Sequence, residues 1–445
     1  MKHILLFGAG PLPDSEHPMC NAGGLRTYQF LRALQNSHRV KVILIGDEYD
    51  HGIWKNDRTF EISRRSPHLF IKIAEIYAKQ KFDAVIAVNT FPAYVASEVI
   101  DSSVPFWADL NGWIMAEIQA QSSELQHNAF IAQAWEQEKA ILLRADGIST
   151  VSRAQRFATL GELASLGRLT KEVFLENFVH AIPNVPQNLL SQRNHDEKKY
   201  FRGTRVPENA FVLLQVGGFN NWLDATTMFH GTEEAMKEND HIYFVTTGGS
   251  IPNIAENTFS RFKKMVKASP YQDRFIFLGW IEPEYIPKVY EESNVGIMAD
   301  ILCIETETGA RNRLTEMLQF GLPLITTEGS EIAHDIRKWQ CGQVVESGNF
   351  VEIKNSILEL EKNKELLLTY SKNAGEVCRN ILVNELVCTP IRLWLEKDIP
   401  LSAHSWRVLL DSARMFSKMK AGIQYLRAKG PLQFSRKLIQ KLKKH

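Results

Sequence analysis

The sequence lacks the features that mark membrane-spanning, disulfide-bonded and zinc-binding proteins. No apolar run reaches the roughly 18 residues that a membrane span requires, and the N-terminal segment MKHILLFGAGPLPD has no cleavage-like small-residue site of a signal peptide. The cysteines are odd in number and show no CxxC spacing, which argues against a disulfide framework and against a zinc site. They are Cys20, Cys303, Cys341, Cys378 and Cys388. These absences predict a cytoplasmic protein with reduced thiols.

The amino-acid composition is that of an ordinary globular protein, and the chain is long. Hydrophobic residues make up 44% and charged residues 23% of the 445 positions, which excludes the collagen-like and disordered classes. A chain of this length exceeds one ordinary hydrophobic core, so two domains are expected.

Short apolar runs alternate with helical segments in the first half of the chain. Runs rich in β-branched residues predict buried strands at 3–8, 40–46, 82–88, 104–110 and 147–152. Apolar residues at helical spacing predict helices at 25–37, 66–80 and 128–145. Strands that alternate with helices are typical of a parallel sheet with helices on both faces.

A polar stretch with three prolines at 182–209 interrupts this alternation, and a second series follows it. The second series predicts strands at 211–218, 241–249, 274–280, 294–300, 322–327 and 342–346. The predicted fold class is α/β, with two doubly wound, Rossmann-like parallel-sheet domains facing each other across a cleft. Such sheets bind ligands beyond the carboxyl ends of their strands. The predicted boundaries are 1–190 for the first domain, 191–208 for the linker, 209–385 for the second domain and 386–445 for crossover helices and a C-terminal helical tail.

The C-terminal tail is basic and amphipathic. Between Arg407 and His445 there are 11 lysines and arginines and one acid, Asp411, although the whole chain has a net charge of +1. This pattern predicts association with an anionic membrane surface, at about 1 kcal/mol per basic residue. The alternative is a helix that docks on the protein. Nucleic acid is not an expected partner, because the rest of the chain is acidic and would repel phosphate. The apolar positions at helical spacing are Trp406, Leu409, Leu410, Ala413 and Phe416.

Glycine and polar residues follow the predicted strands of the first domain. Prolines follow Gly8 and Gly10, so the spacing does not fit a dinucleotide fingerprint, which runs directly into a helix. A helix is expected to begin after Gly23 and Gly24, where N–H groups and the helix dipole favour an anion. A simple turn is the alternative interpretation of this glycine pair.

Further polar residues are expected at the strand ends that face the cleft. Asp109 and Asn111 follow the fourth strand in ADLNGW, although Asp109 could instead cap the next helix. Trp280 ends another strand, where an indole could stack on a planar base. The other residues expected at strand ends of the second domain are Gly218, Asn221 and Gly249.

The segment ETETGARNRLTE sets acids and arginines together in front of an apolar run. Its small residues and later apolar spacing predict a helix that begins after Gly309. N–H groups near Gly309, together with Arg311 and Arg313, would then suit a diphosphate. Glu316, farther along, would accept hydrogen bonds from ribose hydroxyls. The alternative is a salt-bridged surface helix with an i to i+4 pair of Glu307 and Arg311.

Seven fragments in this order and spacing resemble the GT-B-fold retaining glycosyltransferases, in particular glycosyltransferase family 4 (group 1). The fragments are GGLRTYQFLRAL, HRVKVILI, RADGISTVS, AIPN, LQVGG, FLGWIEPEYIPKVYEESNVGIM and LTEMLQFGLPLITT. The resemblance implies a metal-independent enzyme that transfers a sugar with retention of configuration. It places the nucleotide-sugar donor on the second domain and the acceptor on the first, and it implies no cofactor beyond this substrate.

The resemblance also assigns roles position by position. Glu316 matches the second acid of the family's E-x7-E motif, which contacts the nucleotide ribose. Thr308 stands where the first acid is expected, so Glu305 or Glu307 would contact the donor sugar instead. The family's Arg and Lys after the strand-end glycines are missing in GGFNNWLD, and the two arginines of ETETGARNRLTE are the substitutes. Asn111 occupies the position of a family histidine.

The predicted function is transfer of a hexose to a glycan or lipid-linked acceptor in cell-surface polysaccharide biosynthesis, at the inner face of the membrane. Asp109 would orient or deprotonate the acceptor hydroxyl, and the arginines would stabilise the leaving diphosphate. The predicted catalytic residues are Asp109, Glu307, Arg311 and Arg313. Asn111 is placed on the acceptor side. The predicted donor-binding residues are Gly23, Gly24, Gly218, Asn221, Gly249, Trp280, Glu305, Thr308, Gly309, Asn312, Leu314 and Glu316.

Three alternative functions stay open on the sequence alone. A nucleotide-sugar epimerase or a pseudo-glycosyltransferase that makes a non-glycosidic bond would use the same donor cleft. An inactive scaffold of a glycan-assembly complex would use the basic tail as its anchor. The sequence does not specify the base, the sugar, the acceptor or the oligomeric state.

Overall fold

The computed structural model of the protein describes residues 1–15, 20–50, 52–186, 199–250, 256–282 and 285–397. The predicted basic tail, Arg407 to His445, and residues 191–198 of the predicted linker lie outside the described residues. Among the described helices, none is long and apolar enough to cross a membrane. All five cysteines lie within the described ranges and are free thiols.

The first domain is built on an eight-stranded sheet. Its strands are β1 His3–Ala9, β2 Arg39–Gly46, β3 Ile53–Trp54, β4 Thr59–Ser63, β5 Ala84–Val88, β6 Phe106–Asp109, β7 Gly147–Thr150 and β8 Val179–Ala181. Their spatial order is β3-β4-β2-β1-β5-β6-β7-β8, and every pairing is parallel except that of β3 with β4. The helices of this domain are α1 Ala22–Gln35, α2 Leu69–Ala78, α3 Thr90–Val99, α4 Ile114–Leu125, α5 Ile131–Arg144 and α6 Arg153–Ser165. The central strand β5 is buried throughout and β1 along all but its two end residues, as a parallel sheet covered on both faces requires.

The second domain repeats this plan on a six-stranded, all-parallel sheet. Its strands are β9 Phe211–Gln215, β10 Ile242–Thr247, β11 Phe275–Gly279, β12 Val295–Met298, β13 Leu324–Thr327 and β14 Gly342–Val345. Their spatial order is β11-β10-β9-β12-β13-β14. The helices are α7 Ala225–Glu238, α8 Glu256–Ala268, α9 Ile286–Glu291, α10 Ile304–Thr308, α11 Asn312–Gln319, α12 Glu331–Trp339, α13 Phe350–Lys362 and α14 Lys364–Asn380.

The last described segment crosses back to the first domain as α15 Asn384–Val387 and α16 Thr389–Glu396. Cys388, Ile391 and Leu395 are buried in the hydrophobic core that covers one face of the first sheet. Trp394 meets the buried ring of Trp107 edge-on, with ring centroids 5.4 Å apart. The two domains are therefore joined by apolar packing at the C-terminal end of the described chain as well as by the linker.

The structure confirms the predicted α/β class and every strand predicted for the two sheets. The strands β3, β4 and β8 were not predicted, because they lack the continuous apolar runs by which the other strands were recognised. The first helix begins at Ala22 rather than after Gly24, so that expectation was wrong by one turn. The side chain of Asn21 caps this helix and accepts a hydrogen bond from the N–H of Gly24.

The return of α16 provides a test of what holds the domains together. Ile391→Ala is expected to cost about 2–5 kcal/mol of stability, because it deletes a fully buried side chain from the core of the first domain. Leu393 is on the same helix but is 52% exposed, so Leu393→Ala is the matched control. Urea unfolding followed by tryptophan fluorescence measures both variants. Equal losses in the two variants would contradict the assignment of α16 to this core.

Candidate active site

The carboxyl ends of the first sheet carry a fully buried ion pair. Arg26, on α1, donates from Nε and Nη2 to the two carboxylate oxygens of Asp109 over 3.0 and 2.7 Å. Ser149, on β7, donates its hydroxyl to the same carboxylate over 2.7 Å. Arg26 and Asp109 are 1% and 0% exposed. This geometry does not agree with the predicted role of Asp109 at the acceptor hydroxyl, because both of its oxygens already accept from the protein.

The same arginine is connected to the second domain by a chain of hydrogen bonds. Nη1 of Arg26 donates to Oδ1 of Asn184 over 2.9 Å, and Nδ2 of Asn184 donates to Oδ1 of Asn312 at the start of α11. Nearby, the hydroxyl of Ser152 donates to the carbonyl oxygen of Thr308 over 2.6 Å. A cavity of about 20 Å³ is lined by residues of both domains, among them Arg26, Asn184, Asn312 and Glu316, and it has room for about one water molecule. Predicted donor residue Asn312 is thus part of the contact between the domains.

Two asparagines at adjacent strand ends have backbone conformations that are rare outside glycine. Asn89, after β5, has a φ of 75°, and Asn111, after β6, has a φ of 56°. Nδ2 of Asn111 donates to Oδ1 of Asn89 over 2.9 Å, and Nδ2 of Asn89 donates to the carbonyl oxygen of Gly23 over 3.1 Å. Such conformations cost about 1–3 kcal/mol and concentrate at functional sites. The predicted acceptor-side residue Asn111 is therefore held in place at the carboxyl edge of the sheet.

The glycine pair at the start of α1 is explained by close packing. A Cβ on Gly24 would lie 2.0 Å from the carbonyl oxygen of Pro11, and a Cβ on Gly23 would lie 2.9 Å from the Cβ of Ala9. The N–H of Gly24 donates to Asn21 over 2.9 Å. Both glycines therefore let α1 approach the loop after β1, and one of the N–H groups predicted for an anion is already bonded within the protein.

Arg311 is surrounded by carboxylates. Its Nε donates to Oδ2 of Asp300 over 2.5 Å, and its two Nη groups donate to the two oxygens of Glu305 over 3.1 and 2.8 Å. All three residues are at most 5% exposed. Burial alone would lower the pKa of Arg311, but Asp300 and Glu305 raise it above its usual value. The predicted role of Arg311 at a diphosphate does not fit this geometry, because two carboxylates already hold the guanidinium group.

The two acids that precede Thr308 in α10 have different environments. Glu305 is buried against Arg311, whereas Glu307 is exposed. Burial raises the pKa of Glu305, and Arg311 opposes this effect. The hydroxyl of Thr308 donates to a carbonyl oxygen one turn earlier in α10 over 2.7 Å, and the N–H of Gly309 donates to the carbonyl oxygen of Glu305 over 2.7 Å. Thr308 and the N–H of Gly309 are thereby bonded within α10, and Glu305 is the buried acid of this segment.

Arg313 lies over the glycine pair at the end of β9. Its Nη1 donates to the carbonyl oxygen of Gly218 over 3.1 Å. A Cβ on Gly217, where φ is 88°, would lie 2.1 Å from Cζ of Arg313. Burial lowers the pKa of Arg313, and Glu316 opposes this effect. The guanidinium group of Arg313 therefore stands beside the strand-end glycines, where the local sequence GGFNNWLD has no basic residue.

Glu316 is supported from inside the second domain. Its Oε2 accepts a hydrogen bond from the hydroxyl of Tyr290 over 3.2 Å. Tyr290 is 1% exposed and stacks on Phe320 with ring centroids 4.7 Å apart. Burial raises the pKa of Glu316, and Arg313 opposes this effect. Leu314 is fully buried and anchors α11 to the core, so its side chain positions the neighbouring charged groups.

The remaining predicted donor residues lie at the adjoining strand ends. Oδ1 of Asn221 is buried and has no hydrogen-bond partner within the described chain. Trp280 follows β11 and is 59% exposed. The carbonyl oxygen of Gly249 accepts a hydrogen bond from the N–H of Phe219 over 2.9 Å. An orphaned acceptor and an exposed indole at the same edge of the sheet suit a ligand that has hydrogen-bond donors and a flat ring.

Sequence reasoning missed several residues of this site. Arg26 could have been recognised from the sequence, because it is a charged residue on the apolar face of α1, one turn before Phe30. Asp300 ends the predicted strand 294–300 and Asn184 ends the fragment AIPN, but neither was assigned a role, because spacing does not reveal their partners Arg311 and Arg26. Over the described ranges, no group of three or more His, Cys, Asp or Glu side chains is arranged to hold a metal ion.

Comparisons with known proteins concern the fold of the chain and the family to which part of it is similar. Residues 196–377 match the family described as glycosyl transferases group 1. The sequence has no match among curated proteins. Sucrose-phosphate synthase from Thermosynechococcus elongatus superimposes with a TM-score of 0.65 at 17% identity, over 89% of this chain and 98% of that one.

Two further solved structures share the architecture. HepE from Anabaena, solved in complex with UDP-glucose, has a TM-score of 0.62 at 12% identity, covering 89% of this chain and 100% of its own. An α,α-trehalose-phosphate synthase (UDP-forming) from Burkholderia xenovorans, in complex with glucose-6-phosphate, has a TM-score of 0.63 at 8% identity and the same coverage. Likeness at these identities concerns the fold alone. The chain therefore has the GT-B fold, and over residues 196–377 it matches the glycosyl transferases group 1 family, as the sequence predicted.

Proposed function

We propose that the protein is a retaining glycosyltransferase that transfers a hexose from a nucleotide-sugar donor to a hydroxyl acceptor. The observation that carries this proposal is the placement of Arg313 over Gly217 and Gly218. Arg313 is on α11, whose first residue, Asn312, accepts a hydrogen bond from Asn184 of the first domain. The group 1 match over the same domain supports it.

The donor diphosphate would bind between Arg313 and the first turn of α11. A guanidinium group can donate two parallel hydrogen bonds to phosphate oxygens, and a helix N-terminus adds N–H groups and a favourable dipole. Glycine at position 217 lets the guanidinium and a ligand approach the backbone closely. An anion at this position would also offset the burial that lowers the pKa of Arg313.

The sugar and nucleoside parts of the donor would use the adjoining groups. Glu316 would accept hydrogen bonds from the ribose hydroxyls, since Tyr290 occupies only one of its oxygens. Glu307, the exposed acid of this segment, would take the place of the missing first acid at the donor sugar, because Arg311 already donates to both oxygens of Glu305 and Thr308 is bonded within α10. Trp280 offers its exposed face to the base.

Catalysis would depend mainly on stabilising the leaving group. Departure of a nucleoside diphosphate builds negative charge on the phosphates, and preorganised donors at that position are the largest catalytic contribution expected. The Asn184–Asn312 and Ser152–Thr308 contacts hold the acceptor domain against α10 and α11. These contacts would keep water out while the acceptor hydroxyl attacks. No metal or cofactor is required by this scheme.

The acceptor is proposed to be a glycan or lipid-linked saccharide in cell-surface polysaccharide biosynthesis. The support is the basic, amphipathic composition of the segment from Arg407 to His445, which suits an anionic membrane surface. The protein would then be peripheral on the inner face of the membrane.

Nucleotide binding is the first test of the donor site. Calorimetric titration of the full chain with UDP, GDP and ADP is expected to give binding of one nucleotide with clear preference over the other two. UDP is the first nucleotide to examine, because UDP-glucose is bound in the Anabaena structure. If none of the three binds, the donor site is not functional and the scaffold alternative replaces the proposed function.

Replacing either of the two arginines of ETETGARNRLTE by alanine is expected to have a different effect. Arg313→Ala should reduce kcat/KM by about 10²–10³-fold through loss of a phosphate donor, with little change in unfolding. Arg311→Ala should instead cost about 3–5 kcal/mol of stability, because Asp300 and Glu305 would be buried without a counter-ion. Donor turnover and thermal unfolding are measured on both variants. Wild-type turnover in Arg313→Ala would remove the diphosphate assignment.

Membrane association is tested separately from chemistry. The full chain is expected to sediment with vesicles containing anionic lipid, and less so at high salt, since exposed charges are screened within about 10 Å at 0.1 M ionic strength. A chain that ends at Lys397 should stay in the supernatant while it keeps nucleotide affinity. Sedimentation of both forms to the same extent would rule out the basic tail as the anchor.

A further inference from the structure

A carboxylate that the sequence did not single out lies at the acceptor side of the cleft. Glu117 is in the first turn of α4, directly after the Asn111–Trp113 segment that leaves β6. One of its oxygens lies only 2.1 Å from the point that a Cβ on Gly112 would occupy. The absence of a side chain at Gly112 therefore leaves room for the carboxylate of Glu117 against the backbone that follows Asn111.

Glu117 is open to an external hydrogen-bond donor. Within the described chain, no side chain or backbone N–H donates to its carboxylate, and the residue is half-buried rather than sealed. Asp109 contrasts with it, because Arg26 and Ser149 already occupy both of its oxygens. Of these two carboxylates, Glu117 is the one with oxygens available to a substrate hydroxyl.

The charges that face Glu117 come from both domains. Helix α4 packs against α10, so Glu305 and its partner Arg311 act on Glu117 from the second domain. Within the first domain, the charge of Glu117 in turn helps to raise the pKa of Glu138, on α5. Burial and the charge of Glu305 raise the pKa of Glu117 to about 7, and Arg311 opposes them. A carboxylate with this environment is half-ionised near neutral pH and can both take up and release a proton.

A second pair of carboxyl groups lies behind Glu117. Glu138 is fully buried, and neither of its oxygens has a hydrogen-bond partner within the described chain. Glu162, on α6, accepts a hydrogen bond from Nε1 of Trp113 over 3.1 Å. Burial raises the pKa of Glu138 well above its usual value and that of Glu162 to about 7. These two carboxyl groups therefore hold a proton in the interior of the first domain. Because neither of them is a cation, they do not neutralise the charge of the Glu117 carboxylate.

We propose that Glu117 is a catalytic residue that accepts the proton of the attacking acceptor hydroxyl. This role rests on the proposed function. As the bond between the anomeric carbon and the diphosphate oxygen breaks, the acceptor oxygen forms its bond to the same carbon and its proton passes to the Glu117 carboxylate. The nucleoside diphosphate leaves with the bonding electron pair, and Glu117 later releases the proton to water.

The test uses turnover of a nucleotide sugar with water as acceptor, which requires no knowledge of the natural acceptor. The probe is whichever of UDP-glucose, GDP-mannose and ADP-glucose the wild-type chain hydrolyses fastest, followed as released nucleoside diphosphate. For the wild type, kcat/KM is expected to rise with pH to a plateau above about pH 7, because the ionised form of Glu117 is the active one. Glu117→Gln should lower kcat by about 10²–10³-fold, remove this pH dependence and leave the KM for the donor nearly unchanged.

A second variant moves the carboxylate without removing it. Gly112→Ala places a methyl group where the Glu117 oxygen lies, and the side chain of Glu117 can swing away at little cost in folding. We expect a loss of kcat in Gly112→Ala without a matching loss in thermal stability. Glu162→Gln should keep the pH dependence, since that residue is a neighbour rather than the base. Glu136→Gln, which changes a carboxylate that is 68% exposed on α5, is the control for unchanged kinetics.

The outcomes separate the two proposals. If the wild type hydrolyses none of the three donors and binds none of their nucleotides, the glycosyltransferase function itself fails, and this role fails with it. If the wild type is active and Glu117→Gln keeps its kcat and its pH profile, the proton-accepting role is overturned while the function stands. Loss of the pH dependence in Glu162→Gln with its retention in Glu117→Gln would transfer the role to the inner pair.

Discussion

The buried ion pair between Arg26 and Asp109 is the interaction on which the cleft depends. It joins α1 to the ends of β6 and β7, and through Asn184 it reaches Asn312 at the start of α11. Two charges without solvent are stable only when every remaining donor and acceptor is satisfied. The remaining Nη1 of Arg26 donates to the carbonyl oxygen of Pro183 and to Oδ1 of Asn184, so the pair also holds the segment that contacts the start of α11.

A second set of buried charges lies at the start of α11 in the second domain, and carboxylates enclose only one of its two arginines. Arg311 and Arg313 are two residues apart at the start of α11, and residues at this spacing point to different sides of a helix. Arg311 turns inward, where Asp300 and Glu305 enclose it, and it holds α10 against α11. Arg313 turns to the glycine pair at β9. One arginine thus stabilises the site and the other remains available to a ligand.

Much of the fold was predictable from the sequence because each signal is local. Apolar runs of four to eight residues, bounded by glycine or polar residues, predict the strands of both sheets. The segment ETETGARNRLTE was identified as part of the site by its position after such a run. The roles within it were not predictable, since spacing alone does not distinguish Arg311, enclosed by carboxylates, from Arg313, which lies over the strand-end glycines. Asp109 was identified for the same positional reason, and its partner Arg26 is 83 residues away in the sequence.

The sequence by itself determined the α/β alternation, the division into two sheets, and the strand-end positions where polar residues gather, because these follow from periodicity and from the local preferences of glycine and proline. Only the tertiary structure decided which charges pair and which stay open. Pairing depends on distances between segments far apart in the chain, and on the burial that raises or lowers each pKa. That is why Asp109 proves to be enclosed by Arg26 and Ser149, while the carboxylate of Glu117, inconspicuous in the sequence, accepts no hydrogen bond within the described chain.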